Sequence, residues 1–350
     1  MSLQNLFSKF EENIRLTWAD SQLKELREKD KSIQEDICSA FKNKGYPVIE
    51  FFQQGSYATQ TCIKPLNEGD DYDIDVGVVI DADKAPDNPV EVKKNLKDVL
   101  IDRNLKNPKI KMPCVTAQYY KEGEKRFHLD YPIYIKSKNN FYLAIGKESS
   151  DEKIRKWEFG DPKGLIDWVN NKSSFLSEEN YSQYKRLIKY MKRWRDYCIT
   201  GTERKSIYSI ALTVMIHEKY KSGISSDGDI NDLESLRKTV SSILDSSYFK
   251  LIKYDNNNNP QYEVTVNLPV EPRRDIFNKH GKTLGTFLYN KLSMMQKNLD
   301  KASRESDLKK QCEILANDIF GKDFPVPEGY QQSLNRKFKE AGFIKSSQGA

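Results

Sequence analysis

Cysteine is scarce and scattered: Cys38, Cys62, Cys114, Cys198 and Cys312 are odd in number, and no two form a CxxC pair. That excludes a disulfide framework and a cysteine-built zinc site, and it fits a reducing cytoplasm. Histidine is rarer still, three in 350 residues, with no His/Cys cluster at zinc-ligand spacing. Long apolar runs are missing as well. No window approaches the roughly 20 residues that cross a bilayer, and the mean hydropathy of -0.75 belongs to a chain dissolved in water, so no membrane partner is expected. The opening MSLQNLFSKFEENIRL lacks the basic start, apolar run and cleavage site of a secretory leader. Charge of one sign is also lacking: 57 Lys and Arg against 51 Asp and Glu leave a net +6, which says little about partners. Distribution says more. Basic side chains crowd residues 185–195 and acidic ones residues 68–75, one segment suited to phosphate and one to cations.

Apolar residues at three- and four-residue steps predict one long N-terminal helix over residues 3–45, ended by Pro47. Short apolar or alternating runs then predict strands at 48–52, 72–80, 115–120, 127–135 and 141–145, with a helix at 89–104. Beyond about residue 155 the pattern turns almost wholly helical: 162–171, 177–199, 206–220, 232–249 and 275–320. The expected fold class is α+β, a sheet lobe packed against a C-terminal helical lobe. The expected division is 1–160 for the N-terminal helix and catalytic lobe, 161–345 for the helical lobe, and 346–350 as a flexible tail. The polar cluster 255–260 reads as a flexible turn.

The most informative stretch is Gln54-Gly55-Ser56 followed by Asp70-Asp71-Tyr72-Asp73-Ile74-Asp75-Val76-Gly77-Val78. On a strand, alternate side chains share a face, so Tyr72, Ile74, Val76 and Val78 point to the core while Asp71, Asp73 and Asp75 point away. A row of carboxylates is tolerable when divalent cations neutralise it, and Mg²⁺ favours carboxylates together with substrate phosphates. In Phe127-His128-Leu129-Asp130-Tyr131-Pro132-Ile133 the same alternation puts Asp130 opposite an apolar face. Asp73, Asp75 and Asp130 therefore match the ligand set of a two-metal site, which activates a hydroxyl and stabilises leaving pyrophosphate. Gly55-Ser56 supplies the other half: a glycine that lets backbone approach closely, and a helix start that offers N–H groups and a hydroxyl to phosphate.

These motifs resemble the polymerase-β-like nucleotidyltransferases, and more narrowly the bacterial cGAS/DncV-like group. The likeness rests on Gln54-Gly55-Ser56-Tyr57 before Asp73-Ile74-Asp75, on His128-Leu129-Asp130-Tyr131-Pro132-Ile133-Tyr134, and on Leu187-Ile188-Lys189-Tyr190-Met191-Lys192-Arg193-Trp194 followed by Ser209-Ile210-Ala211-Leu212. It spans about residues 45–215. The resemblance implies a catalytic lobe of that fold holding two Mg²⁺ ions, with Mn²⁺ as a substitute. It also implies the joining of nucleoside triphosphates, ATP, GTP or others, into a cyclic di- or trinucleotide that reaches an effector by diffusion in anti-phage signalling. Ser56 would hold triphosphate, Gln54 would approach the nucleotide, and Lys192 and Ser209 would reach it from the helical lobe. A small polar tail such as 346–350 joins some members of the group to other proteins.

Other readings fare less well. The acidic stretch is no calcium loop, because strand-forming residues separate the acids and the twelfth position, where Glu is required, is Ala82. Gly281-Lys282-Thr283 is no P-loop, since its first glycine would fall on Ile276. His217 lies in an apolar helix and His280 in a turn. Without a zinc insertion, activation by duplex DNA is not expected. An RNA- or tRNA-terminal or protein-modifying transferase would use the same three acids, and a broad basic groove would distinguish it.

Overall fold

The computed structural model describes residues 2–17, 21–67, 72–121, 123–278 and 280–327; the expected tail at 346–350, and Asp70 and Asp71, lie outside them. Instead of one long N-terminal helix there are two, α1 (Leu3–Ile14) and α2 (Ser21–Asn43). Their apolar stripes serve different cores, which is why the periodicity runs on while the helix does not. The chain divides into two compact units. One takes Leu16–Asn171 with Asn267–Arg274; the other takes the described residues of Met1–Arg15, Lys172–Val266 and Asp275–Ala350.

The first unit is built on β1 (Val48–Gln53), the single-turn helix α3 (Gly55–Ala58), β2 (Tyr72–Asp81), α4 (Pro89–Asp102), β3 (Lys106–Ile110), β4 (Val115–Lys121), β5 (Glu124–Tyr131), β6 (Ile133–Ser137), β7 (Asn140–Ile145), β8 (Lys156–Gly160) and α5 (Pro162–Asn170). These strands form one mixed sheet in the order β3-β4-β5-β2-β6-β7-β8, with β1 antiparallel to β2. The strand expected at 127–135 is two strands. Pro132 has no N–H for a ladder, and its carbonyl accepts from Val78 N at 2.9 Å. β2 therefore runs parallel to β5 over its first half and to β6 over its second. The sheet's inner face, Ile74, Val76, Val78, Ile80, Val115, Ala117, Leu129, Tyr131 and Ile133, is buried with Leu26, Ile33, Ile37 and Phe41 of α2 and Val92, Leu96 and Leu100 of α4. Helix α4 starts as its sequence suggests, with Asn88 accepting from Val90 N at 3.1 Å and Pro89 at the first turn.

The second unit holds α1, α6 (Glu178–Cys198), α7 (Gly201–Ser206), α8 (Ser209–Lys219), α9 (Asp232–Leu244), β9 (Phe249–Tyr254), β10 (Pro260–Val264), α10 (Gly281–Arg304) and α11 (Leu308–Leu315). It is not wholly helical. The segment 249–264 forms a hairpin, and its turn is tied down by Asp255, whose carboxylate accepts from the backbone N–H of Asn257 and of Asn259, both at 2.9 Å. Phe7 and Phe10 of α1 pack with Tyr190, Phe320 and Phe324 at ring separations of 4.6–6.3 Å.

A buried ion pair organises this unit. Asp232, fully buried, accepts from Arg186 Nε at 2.7 Å and Nη2 at 2.8 Å, from Gln183 at 3.0 Å and from Tyr190 Oη at 2.9 Å. Burial alone would raise its pKa, but the Arg186 guanidinium with the Gln183 and Tyr190 bonds holds it below the ordinary carboxylate value. Asp232→Ala leaves Arg186 uncompensated and is expected to cost about 3–5 kcal/mol in urea unfolding at neutral pH. A carboxyl held low in the folded state stabilises above its unfolded pKa and stops doing so as pH falls through the folded one. The gap between wild type and variant should therefore stay constant from pH 8 to about 5 and narrow only below about pH 4. A gap that instead narrows near pH 6 would contradict this.

Candidate active site

Strand register brings the three acids together. β2 and β5 are parallel neighbours, with Asp73 opposite His128 and Asp75 opposite Asp130. Side chains of facing residues leave the same side of a sheet, on strands about 4.8 Å apart, and Asp73 lies two residues from Asp75, so the three carboxylates share one face. The intervening Ile74 and Leu129 are 1% and 0% exposed on the other face. That burial sets the direction of the acids, because a slip of one residue would put aspartate into the core.

The Gly-Ser turn closes on the same place. Gln54 N donates to Asp75 O at 2.8 Å, and α3 begins at the next residue. Gly55 has φ +60°, and a Cβ there would stand 2.2 Å from Asp75 Oδ2. Glycine is thus demanded twice, by the backbone conformation and by the approaching carboxylate. Ser56 Oγ lies 3.2 Å from Cys62 Sγ. Gln54 Nε2 donates to Tyr134 Oη at 2.9 Å. Burial raises the Tyr134 hydroxyl pKa, the Gln54 bond lowers it in part, and the Asp75 charge raises it further. Beyond Asp75 the same face is apolar: Gly77 meets the Phe52 ring, and Val79, Tyr134 and Phe141 form a small cluster with Phe52.

Several residues around Asp130 escaped the sequence reading. Lys111 Nζ stands 3.3 and 3.4 Å from the two Asp130 oxygens. Its backbone N–H donates to Cys114 O at 2.8 Å. Fully buried Lys93 donates to the carbonyls of Lys111, Met112 and Gly146 at 3.2, 2.7 and 3.0 Å, and burial pulls its pKa down to about 8. The Cys114 thiol is pushed up to about 12, by burial first and then by the Asp130 charge. Thr116 is the register partner of Asp130 on β4. Motif spacing could not have found Lys111 or Thr116; strand pairing places Thr116, and the turn held by Lys93 places Lys111.

Lys192 and Ser209 belong to the helical unit. Lys192 is 5% exposed on α6, where its charge and that of Lys189, after burial, help bring Lys185 down to about 7. Ser209 opens α8 and accepts from Arg195 Nη1 at 2.6 Å.

The donor set suits a hard divalent cation, being all carboxylate oxygen. Among the described residues no three ligating side chains stand close enough, as now placed, to enclose an ion by themselves. Mg²⁺ seldom needs such a cage, since it keeps waters and is held through one or two carboxylates plus substrate phosphates. A mixed sheet with these acids on one face and a Gly-Ser turn against the second of them is the geometry that nucleotidyl transfer calls for.

Comparison with known proteins narrows the class. Residues 49–134 match the nucleotidyltransferase domain of the DncV-like cyclic GMP-AMP synthases. A cyclic GMP-AMP synthase of Escherichia albertii is 30% identical over 186 residues, 51% of this chain and 39% of that protein; the chain thus spans well under two thirds of this relative's length. The fold is shared with E. coli MS115-1 CdnC solved with ATP, at TM-score 0.62 and 14% identity over 92% of this chain and 98% of that one. It is shared likewise with Vibrio cholerae DncV, at TM-score 0.58 and 19% identity over 93% and 82%. In matched domain and in fold, the chain is similar to the bacterial cGAS/DncV-like nucleotidyltransferases.

Gly55→Ala would drive a methyl into the Asp75 carboxylate and hold alanine at positive φ. It is expected to cost about 1–3 kcal/mol of stability and to lower nucleotidyl transfer by at least about 100-fold, as misplaced catalytic groups do. Thermal unfolding and initial rates measured on one preparation check both numbers.

Proposed function

We propose that this chain is a Mg²⁺-dependent cyclic oligonucleotide synthase, which joins nucleoside triphosphates into a cyclic di- or trinucleotide messenger and releases pyrophosphate. The observation that carries the reading is the register match of Asp75 with Asp130, Asp73 on the same face and Gly55 against Asp75. The relatives lend support: V. cholerae DncV has been solved with nonhydrolyzable GTP and with the linear intermediate pppA(3',5')pG. For this chain, cytoplasmic action in anti-phage signalling is part of the same proposal.

Asp73, Asp75 and Asp130 would hold two Mg²⁺ ions, which when bound lower the pKa of an attacking ribose hydroxyl and offset charge on the leaving pyrophosphate. The protein's own part is orientation. The buried inner face of the sheet fixes the three carboxylates, and Gly55 leaves room for Asp75 beside the turn. Ser56 is assigned to triphosphate oxygens and Gln54, steadied by Tyr134, to the nucleotide; Lys192 and Ser209 are assigned to nucleotide binding on the family resemblance. After the first bond, the linear intermediate presents its free hydroxyl to the second triphosphate, and ring closure follows.

The test is incubation with all four triphosphates and Mg²⁺, phosphatase treatment, and mass spectrometry of what resists. A phosphatase-resistant cyclic product is expected; transfer only onto added RNA or protein would overturn the reading in favour of a terminal or protein-modifying transferase. The double variant Asp73→Asn with Asp75→Asn should make no product yet unfold at or above the wild-type temperature, because it removes like charges from one face. Turnover within tenfold of wild type would remove these residues from the mechanism.

A further inference from the structure

Asp130 already has a cation. Lys111 Nζ lies 3.3 and 3.4 Å from its two oxygens, on an ion pair with the Lys111 side chain 47% exposed and that of Asp130 23% exposed. The backbone from which Lys111 springs is fixed. Its N–H is bonded to Cys114 O, and its carbonyl and that of Met112 are held by the buried ammonium of Lys93. Beside Asp130, on the antiparallel partner strand, stands Thr116. Its neighbours Val115 and Ala117 fill the inner core, so Thr116 faces the same side as Asp130. Thr116 is 3% exposed, and its hydroxyl is buried with no hydrogen-bond partner. A buried hydroxyl without a partner is costly unless a water or an ion's water completes it.

We propose that Lys111 is the resident counter-ion of Asp130, displaced when a divalent cation enters, and that Thr116 Oγ1 receives a water of that cation. This rests on the two-metal reading of the three acids. Like charges at one carboxylate compete, so Lys111 holds the Asp130 side chain in place while no metal is bound, and weakens metal binding by the strength of the pair it must give up. The ammonium swings into solvent; no bond is made or broken beyond the ion pair and the metal's exchange of a water for a carboxylate oxygen. Lys111 is therefore a positioning residue, and its effect falls on metal affinity before nucleotide enters.

The test is titration of the full chain with Mn²⁺ alone, free ion being followed by electron paramagnetic resonance. Lys111→Met is expected to bind Mn²⁺ about threefold more tightly than wild type, the range of an exposed ion pair, while Lys111→Arg stays at the wild-type value. Thr116→Val, which keeps shape and removes the hydroxyl, is expected to bind more weakly by a similar factor. In an Asp130→Asn background the Lys111→Met gain should vanish. Circular dichroism establishes that each variant is folded. Equal or weaker binding by Lys111→Met, with wild-type affinity still dependent on Asp130, overturns the counter-ion role alone. Affinity indifferent to Asp130→Asn overturns the metal site, and the counter-ion role with it.

Discussion

Three carboxylates on one face repel, and in water they would separate; the buried underside of the sheet keeps them together. Ile74 and Val76 of β2 and Leu129 and Tyr131 of β5 occupy the same core as α2 and α4, and each apolar residue lost to solvent costs about 1.5–3 kcal/mol. Repulsion between partly solvated charges a few ångströms apart amounts to about 1–4 kcal/mol. Several apolar anchors outweigh it, so the acids stand where the core places them. Tyr131 adds a second hold: its hydroxyl donates to Asp30 of α2 at 2.7 Å, directly after Asp130 in the chain.

What could be read from the sequence follows from which forces are local. Alternation in 72–80 and around Asp130 told which side each aspartate takes, because burial acts on every second residue. That Asp75 would face Asp130 was only an expectation, since register is a relation between segments and one chain read along its length does not contain it. The same limit hid Thr116 and Lys111, whose places depend on β4 pairing with β5 and on a turn held by a lysine from α4. Boundaries failed where one pattern concealed a change of partner: α1 and α2 read as one helix, and Pro132, noted only as part of a motif, divides β5 from β6. The strands β3 and β8 were missed because Lys106–Ile110 and Lys156–Gly160 show little alternation and little burial; of the hairpin 249–264 only the turn was read, its strands being short and residues 250–254 exposed.

The two units solve charge burial differently. In the helical unit Asp232 is closed off with its guanidinium and serves packing. In the sheet unit the acids stay within reach of solvent and keep a loosely held ammonium at 3.3 Å. Pairs of the first kind resist exchange because breaking them strands a charge in low dielectric; pairs of the second kind can be exchanged at small cost.

The contact between Gly55 and Asp75 ties two positions of the chain to one fate. As long as the carboxylate is needed, no side chain can enter at 55; a lineage that lost the acid would release the space at once and retain only the weaker demand of a left-handed backbone, which asparagine also meets. The pair should then drift jointly, so that in related chains a residue with a Cβ at position 55 would mark a paralogue whose chemistry has decayed.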